Sequence, residues 1–288
     1  MKPEISKKEY ELFRGFFEDQ FGLALKHHSR EQLAKLLEPH VKRLKMKSFI
    51  DYFNLISKKS TANKELIRTM TAVMNTESYF LREQAQFTVF LDLLNKMKKQ
   101  KLMRSDRSIR ILSAGSAAGQ EPYSISLCIN SSGTPLSNWD ITIYGMDINP
   151  EQIAKAKKGI YNAYALRGLG KNVIQRYFDS INKNSYQLHS EIMKYVHYVR
   201  GNLMDPKNFQ GRRELDIIFC RNVLIYMSNR AVNRVISNFW EALCDRGFLF
   251  IGQSESLMRH HMLFKRIKYP EVTVYQKMDP EILTKKKI

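Results

Sequence analysis

From residue 109 onward, short apolar runs alternate with segments of helical periodicity, and this alternation narrows the possible folds more than any other feature. "IRILSA" (109–114), "ITIYGMD" (141–147), "YVHYVRGN" (195–202), "LDIIFCRN" (215–222) and "GFLFIG" (247–252) read as strands. "EPYSISLCI" (121–129), "NPEQIAKAKKGIY" (149–161) and "NRAVNRVISNFWEALC" (229–244) lie between them and read as helices. The tail "FKRIKYPEVTVYQK" (264–277) reads as two strands around a turn. Strands that alternate with helices predict an α/β domain, with a mostly parallel sheet covered by helices on both faces.

The first hundred residues have a different texture. Apolar residues recur at three and four spacing in "EYELFRGFFEDQFGLAL", "REQLAKLLEPHVKRLKM" and "EQAQFTVFLDLLNKM", without strand-like alternation. The charged, unpatterned "KKQKLMRSDRS" (98–108) reads as a connector. The predicted organisation is a helical domain over 1–82, a connecting helix and linker over 83–108, and the α/β domain over 109–288. Within the last, "DSINKNSYQLHSEIM" interrupts the rhythm and predicts a small excursion at about 178–196.

Composition bounds the function. A chain of 288 residues is long enough for two domains of roughly 150 residues each. It has no uncharged apolar run near the ~20 residues that a membrane span requires. The charged start "MKPEISKKEYELF" lacks an apolar core, so no signal peptide is expected. Cys128, Cys220 and Cys244 match neither a disulfide framework nor a zinc motif and point to a reducing cytoplasm. The formal charge of +19 is the one extreme value. It favours encounter with polyanions, whether nucleic acid, an anionic membrane or an acidic protein, or else reflects lysine spread over every surface.

In open parallel sheets, ligands bind outside the carboxyl ends of the strands, where strand order reverses. The first strand ends on Ser113, Ala114 and Gly115, a turn without bulky side chains that a ligand can approach closely. Gly119, Gln120 and Glu121 follow, just before Pro122, a residue suited to the first turn of a helix. The second strand ends on Asp147, where a carboxylate can accept from both hydroxyls of a ribose. The next two end on Asn202 and on Arg221–Asn222, amides able to read an adenine edge or a carboxylate. A dinucleotide site wants G-x-G-x-x-G facing pyrophosphate. Here the turn reads Gly115-Ser116-Ala117-Ala118-Gly119, and Glu121 would repel a phosphate. S-adenosylmethionine, with a sulfonium and an ammonium group, fits a carboxylate-bearing site better.

Several segments in order carry a resemblance: "NTESYFLRE" (75–83), "RILSAGSAAGQEPYSISL", "IYGMDINPEQIAKAKKGIY", "IQRYF", "GNL", "DIIFCRNVLIYM" and "FLFIGQSESL". Over nearly its whole length the chain resembles the CheR-type chemotaxis receptor glutamate O-methyltransferases. The resemblance implies a helical amino-terminal domain and a Rossmann-like adenosylmethionine-binding domain with a small inserted β-subdomain. It implies methyl transfer from S-adenosyl-L-methionine to chemoreceptor glutamates, leaving S-adenosyl-L-homocysteine. By position it assigns the cofactor site to Thr76, Ser78, Arg82, Glu121, Asp147, Asn202, Leu203, Arg221 and Asn222. The chain departs from the family at Thr76 (usually Asn), Leu81 (usually Phe) and Gln120 (commonly Glu).

Charge then suggests roles: Arg82 either takes the cofactor carboxylate or pairs with Glu83 or Glu77 on a surface helix, the resemblance favouring the first, with Glu121 for the ammonium, Asp147 for the ribose and Asn202 for the adenine side. Tyr226, four residues beyond Asn222, either faces the methyl-transfer channel or packs after a buried strand. Since a glutamate with a pKa near ~4.3 is already anionic at pH 7, no catalytic triad is expected. In the helical domain Leu33, Leu37 and Leu44 fall on one stripe, with Lys35, Lys42 and Lys45 away from it; Pro39 predicts a kink or a break near Glu38. Those lysines are either a solvated face or a docking face for acidic receptor helices, the use the resemblance implies. The expected partner is the cytoplasmic domain of a chemoreceptor, met by a monomer without nucleic acid, metal or membrane insertion. The glycine-free excursion predicts no dependence on a receptor carboxyl-terminal tether. The rival readings are a nucleic-acid methyltransferase, disfavoured because "RNVLIY" lacks the prolines of base-methylating motifs, and a non-catalytic relative.

Overall fold

The structure, a computed structural model, describes residues 4–25, 28–58, 64–74, 77–132, 138–257 and 262–278. Its contacts divide the chain into two compact units, Met1–Glu77 with Tyr226–Arg234, and Ser78–Ile225 with Val235–Ile288.

The first unit is helical: α1 (Lys7–Phe21), α2 (Arg30–Arg43), α3 (Phe49–Ile56) and α4 (Lys64–Val73). Ser6 and Glu9 form a reciprocal capping box that starts α1, and Ser29 and Gln32 do the same for α2. Phe13, Phe17 and Phe21, spaced by four, are buried along one side of α1. Segment 226–228 joins this unit through backbone bonds, Ala24 N–H to the Tyr226 carbonyl at 2.8 Å and Ser228 N–H to that of Gly22 at 2.9 Å.

The expected break at Pro39 does not occur, and α2 runs through it. A proline removes only one backbone bond, and Pro39 is exposed while its helix is held from the opposite side. Leu33, Leu37 and Val41 are the buried stripe there; Leu44 is the carboxyl cap and only half-buried. Beside that stripe Glu65 of α4 accepts from His40 Nδ1 and Tyr52 Oη, each at 2.9 Å, and from Arg43. One buried carboxylate thus ties α2, α3 and α4 together.

The second unit is a seven-stranded sheet with helices. Its strands are β1 (Ser108–Ala114), β2 (Asp140–Asp147), β6 (Val196–Arg200), β7 (Leu215–Cys220), β8 (Leu243–Ile251), β9 (Phe264–Lys268) and β10 (Thr273–Lys277). The order is β6-β2-β1-β7-β8-β10-β9, parallel up to β8, with β10 and β9 antiparallel. The chain builds outward from β1 through β2 to β6, then crosses to β7 on the other side. Strand order therefore reverses between β1 and β7. Helices α5 (Gln84–Leu102), α6 (Gln120–Ser131), α7 (Pro150–Lys158) and α10 (Asn229–Ala242) accompany the strands. Phe87, Phe90, Leu93 and Leu94 of α5 pack with Ile111, Ile143, Phe219 and Phe250 of the sheet in one core.

A second, three-stranded antiparallel sheet has the order β3-β5-β4, from β3 (Ile160–Tyr161), β4 (Phe178–Asn182) and β5 (Ser185–Leu188). The short helices α8 (Lys171–Tyr177) and α9 (Ser190–Met193) flank it. Its hairpin closes over Lys183–Asn184 with neither Asn182 nor Asn184 left-handed; Asn184 N–H donates to Asn182 Oδ1 at 3.0 Å instead. The turn has no need of glycine because an asparagine side chain closes it.

Candidate functional site

The carboxyl ends of β1 and β7 meet at the switch point. Gly115 follows β1 with φ +79°, and a Cβ built there would lie 2.6 Å from Val223 Cγ2, so glycine alone allows the two strand-end loops this approach. Gly119 (φ +92°) precedes α6, where a Cβ would meet the Tyr198 hydroxyl at 2.4 Å. The loop between them is pinned from β2. Asp147 Oδ2 accepts from Ala117 N–H at 2.8 Å, and its Oδ1 accepts from Asn149 N–H at 2.8 Å.

Glu121 stands in the first turn of α6. Ser113 Oγ donates to its Oε1 at 2.7 Å, and Arg221 Nη1 to its Oε2 at 3.3 Å. The Arg221 side chain is 2% exposed, and its other arm reaches Glu83 Oε2 at 3.4 Å and the Arg82 carbonyl. Asn222, left-handed at φ +59°, extends Nδ2 to Glu83 Oε1 at 3.4 Å. Leu81 N–H donates to Ser124 Oγ at 2.9 Å, which lays the segment carrying Ser78 and Arg82 against α6.

Glu255 holds the β7 loop from behind. Its Oε2 accepts from Asn222 N–H at 3.0 Å and Gly252 N–H at 2.6 Å; its Oε1 accepts from Val223 N–H at 3.0 Å and Ile225 N–H at 3.1 Å. Farther out, Asn202 Oδ1 accepts from Met204 N–H at 3.0 Å, and buried Leu203 offers its carbonyl to Asn238 Nδ2 at 2.9 Å.

Burial pushes the Glu121 carboxyl above its ordinary range; Arg221 and Ser113 oppose that, while the Glu83 and Glu255 charges add to it. Burial also raises Asp147, against the backbone donors of Asn149, Ala117 and Ile148. Glu83 and Glu121 thus flank one buried guanidinium, and the charge of Glu255, behind the β7 loop, is felt at Glu121. Such a cluster favours a cationic ligand and disfavours a phosphate. Among the described residues, Ser116 Oγ, Gln120 Oε1 and Arg221 Nε are buried here without a hydrogen-bond partner. The donor set fits a nucleoside bearing a positive charge, as S-adenosylmethionine does.

The structure brings together Arg82, Glu121, Asp147, Arg221 and Asn222 with Ser78 on the adjoining segment, and places Asn202 and Leu203 beyond the end of β6. The Asp147 oxygens expected to face a ribose already accept backbone donors, although each carboxylate oxygen has two lone pairs. Thr76 lies outside the described residues. Tyr226 groups with the helical unit. Lys35, Lys42 and Lys45 are exposed, with Lys42 paired to Glu38 at 2.7 Å. Glu83 and Glu255 lie within the segments "NTESYFLRE" and "FLFIGQSESL" that carry the resemblance, yet neither was assigned to the site from sequence.

The CheR methyltransferase model, a SAM-binding domain, matches residues 76–273. Chemotaxis protein methyltransferase 2 of Vibrio cholerae is 30% identical over 274 residues, covering 95% of this chain and 94% of that protein. The chemotaxis protein methyltransferase of Borreliella burgdorferi is 28% identical, covering 95% of each. That of Vibrio parahaemolyticus is 32% identical, covering 88% of this chain and 90% of that protein. A carboxylate-lined switch point suited to a charged nucleoside, within the span of that match, makes this chain an S-adenosylmethionine-dependent methyltransferase of the CheR family.

Proposed function

We propose that this enzyme methylates glutamate side chains on the cytoplasmic domains of chemotaxis receptors, forming glutamate 5-O-methyl esters. The observation that carries the reading is the pair of acids, Glu83 and Glu121, on the buried Arg221 at the switch point of a chain whose relatives are named chemotaxis methyltransferases. When bound, S-adenosylmethionine would supply an electrophilic methyl group, leaving S-adenosyl-L-homocysteine. Arg82 takes its carboxylate, Glu121 its ammonium, Asp147 the ribose hydroxyls and Asn202 the adenine side; Ser78, Leu203, Arg221 and Asn222 complete the site, with Thr76 as a further contact. Tyr226 is assigned to the methyl-transfer channel.

The substrate carboxylate is its own nucleophile at neutral pH, so the protein's task is to align it in line with the methyl and strip its water. Alignment of this kind contributes about 7–11 kcal/mol in favourable cases. The enzyme acts as a cytoplasmic monomer and needs no receptor tail as a tether. No described helix is long and apolar enough to cross a membrane.

The test is transfer of tritiated methyl from S-adenosylmethionine to purified receptor, followed by alkali. An ester releases its label as volatile methanol. Alkali-stable label, or label on nucleic acid instead of receptor, overturns the reading.

A further inference from the structure

The positive charge of the chain extends well beyond the lysines of α2 to which the sequence directs attention. Of 47 Lys and Arg, 30 lie in the second unit, as do 18 of 28 Asp and Glu, leaving +12 of the formal +19 there. Residues 151–200 alone hold nine Lys or Arg against three acids, and all nine cations are exposed.

Part of this charge gathers at the carboxyl end of α7. Lys155, Lys157 and Lys158 fall in the last turn of α7. Gln187 Nε2 of β5 donates to the Lys158 carbonyl at 3.0 Å, which fixes that helix end against the small sheet. Lys157 and His197 share a shallow hollow of about 300 Å3, floored by Met193 and Val196. Lys194 stands beside it, its Nζ 4.9 Å from the centre of the Tyr195 ring. The acids on this stretch are few, and one of them, Asp179, already pairs with His189 at 3.2 Å.

We infer that the patch of Lys155, Lys157, Lys158 and Lys194 is a docking surface for the acidic helices of the protein substrate, separate from the lysines of α2. The inference rests on the proposed function and extends it. A receptor segment with several modifiable glutamates carries a run of negative charge, and this patch is its electrostatic complement. Exposed charges of opposite sign set encounter rate and orientation more than the strength of the final contact.

The experiment measures binding of the soluble cytoplasmic receptor fragment to the full-length enzyme and to two variants. In one, Lys155, Lys157, Lys158 and Lys194 are replaced by Glu. In the other they are replaced by Gln, which preserves the helix if reversal harms it. At low salt the Glu variant should bind at least about tenfold more weakly and the Gln variant an intermediate amount, with the differences vanishing near 1 M salt, where screening acts within ~3 Å. S-adenosylmethionine affinity should stay unchanged in both. Receptor affinity equal to wild type at low salt overturns the docking surface. So does a loss confined to vesicles of anionic phospholipid. A wild-type enzyme that binds the fragment but transfers no methyl to it refutes the proposed activity alone.

Discussion

Glu255 is the most exacting test of the proposed site, because it holds the β7 loop only through backbone N–H groups. Four N–H groups converge on its carboxylate, from Asn222, Gly252, Val223 and Ile225, at 2.6–3.1 Å. Asn222 itself is left-handed, a conformation that costs a non-glycine residue about 1 kcal/mol or more and needs its surroundings to hold it. Glu255→Ala removes the acceptors of all four donors. At the lower bound of about 1 kcal/mol per stranded donor, and with water reaching some of them, the loss is about 3–4 kcal/mol of stability. The loop that relaxes carries Arg221 and Asn222, so S-adenosylmethionine affinity should fall by about 10- to 100-fold, the size of one or two lost contacts. Glu255→Gln separates charge from volume. Its single oxygen serves two donors, and its NH2 faces the other two, so the amide should restore little. Thermal unfolding and isothermal titration read both effects. Binding by Glu255→Gln within twofold of wild type, with unchanged unfolding, would refute the positioning role.

Asp147→Ala should weaken S-adenosylmethionine binding at least tenfold, since it removes both a charged acceptor, worth about 1.5–3 kcal/mol per bond, and the pin on Ala117; near-wild-type titration would place Asp147 outside the site. Glu121 is raised by burial, so without ligand its contribution to stability is fully present below the ordinary glutamate value and is lost as pH rises through its elevated pKa. A cofactor ammonium beside it favours the ionised form, so cofactor affinity should decline as pH falls through that same window, with proton release on binding, read by titration calorimetry in buffers of differing ionisation heat. Glu65 behaves in the opposite sense: burial raises it, but hydrogen bonds from Arg43, His40 and Tyr52 outweigh burial and hold it low. Its stabilisation is present above the ordinary glutamate pKa and is lost on acidification, and Glu65→Ala should cost about 3 kcal/mol in chemical denaturation by stranding those partners.

The strand ends were legible because a parallel sheet turns chain order into adjacency. Once β1, β2, β6 and β7 are recognised by their apolar runs, Gly115, Asp147, Asn202 and Arg221 must fall along one edge. Short elements were not legible. β3 (Ile160–Tyr161) reads as the last turn of α7, since Ile160 continues the helical spacing, yet Gly159 at φ 64° ends the helix and turns the chain into the small sheet. The partners that fix the site were hidden for another reason. Glu83 meets Arg221 and Asn222 across about half the chain, and Glu255 meets the β7 loop from the far side of β8. Neither has a local pattern, because what each recognises is a guanidinium or a backbone donor brought there by the fold.

The distribution of charge shows the same limit and gives it functional weight. An amphipathic helix with lysines opposite leucines attracts notice in sequence, so α2 was the natural place to look for a receptor-docking face. In the structure one of its three lysines is already paired, at Lys42–Glu38, and +12 of the formal +19 lies outside the helical unit. The lysines of α7 and Lys194 lie apart in sequence, and only the fold brings the end of α7 against Met193, the residue before Lys194. A change of charge at these exposed lysines therefore leaves the sheet core and the Glu83–Arg221–Glu121 ion pairs as they are, which is what makes the charge-reversal variants a clean test of docking.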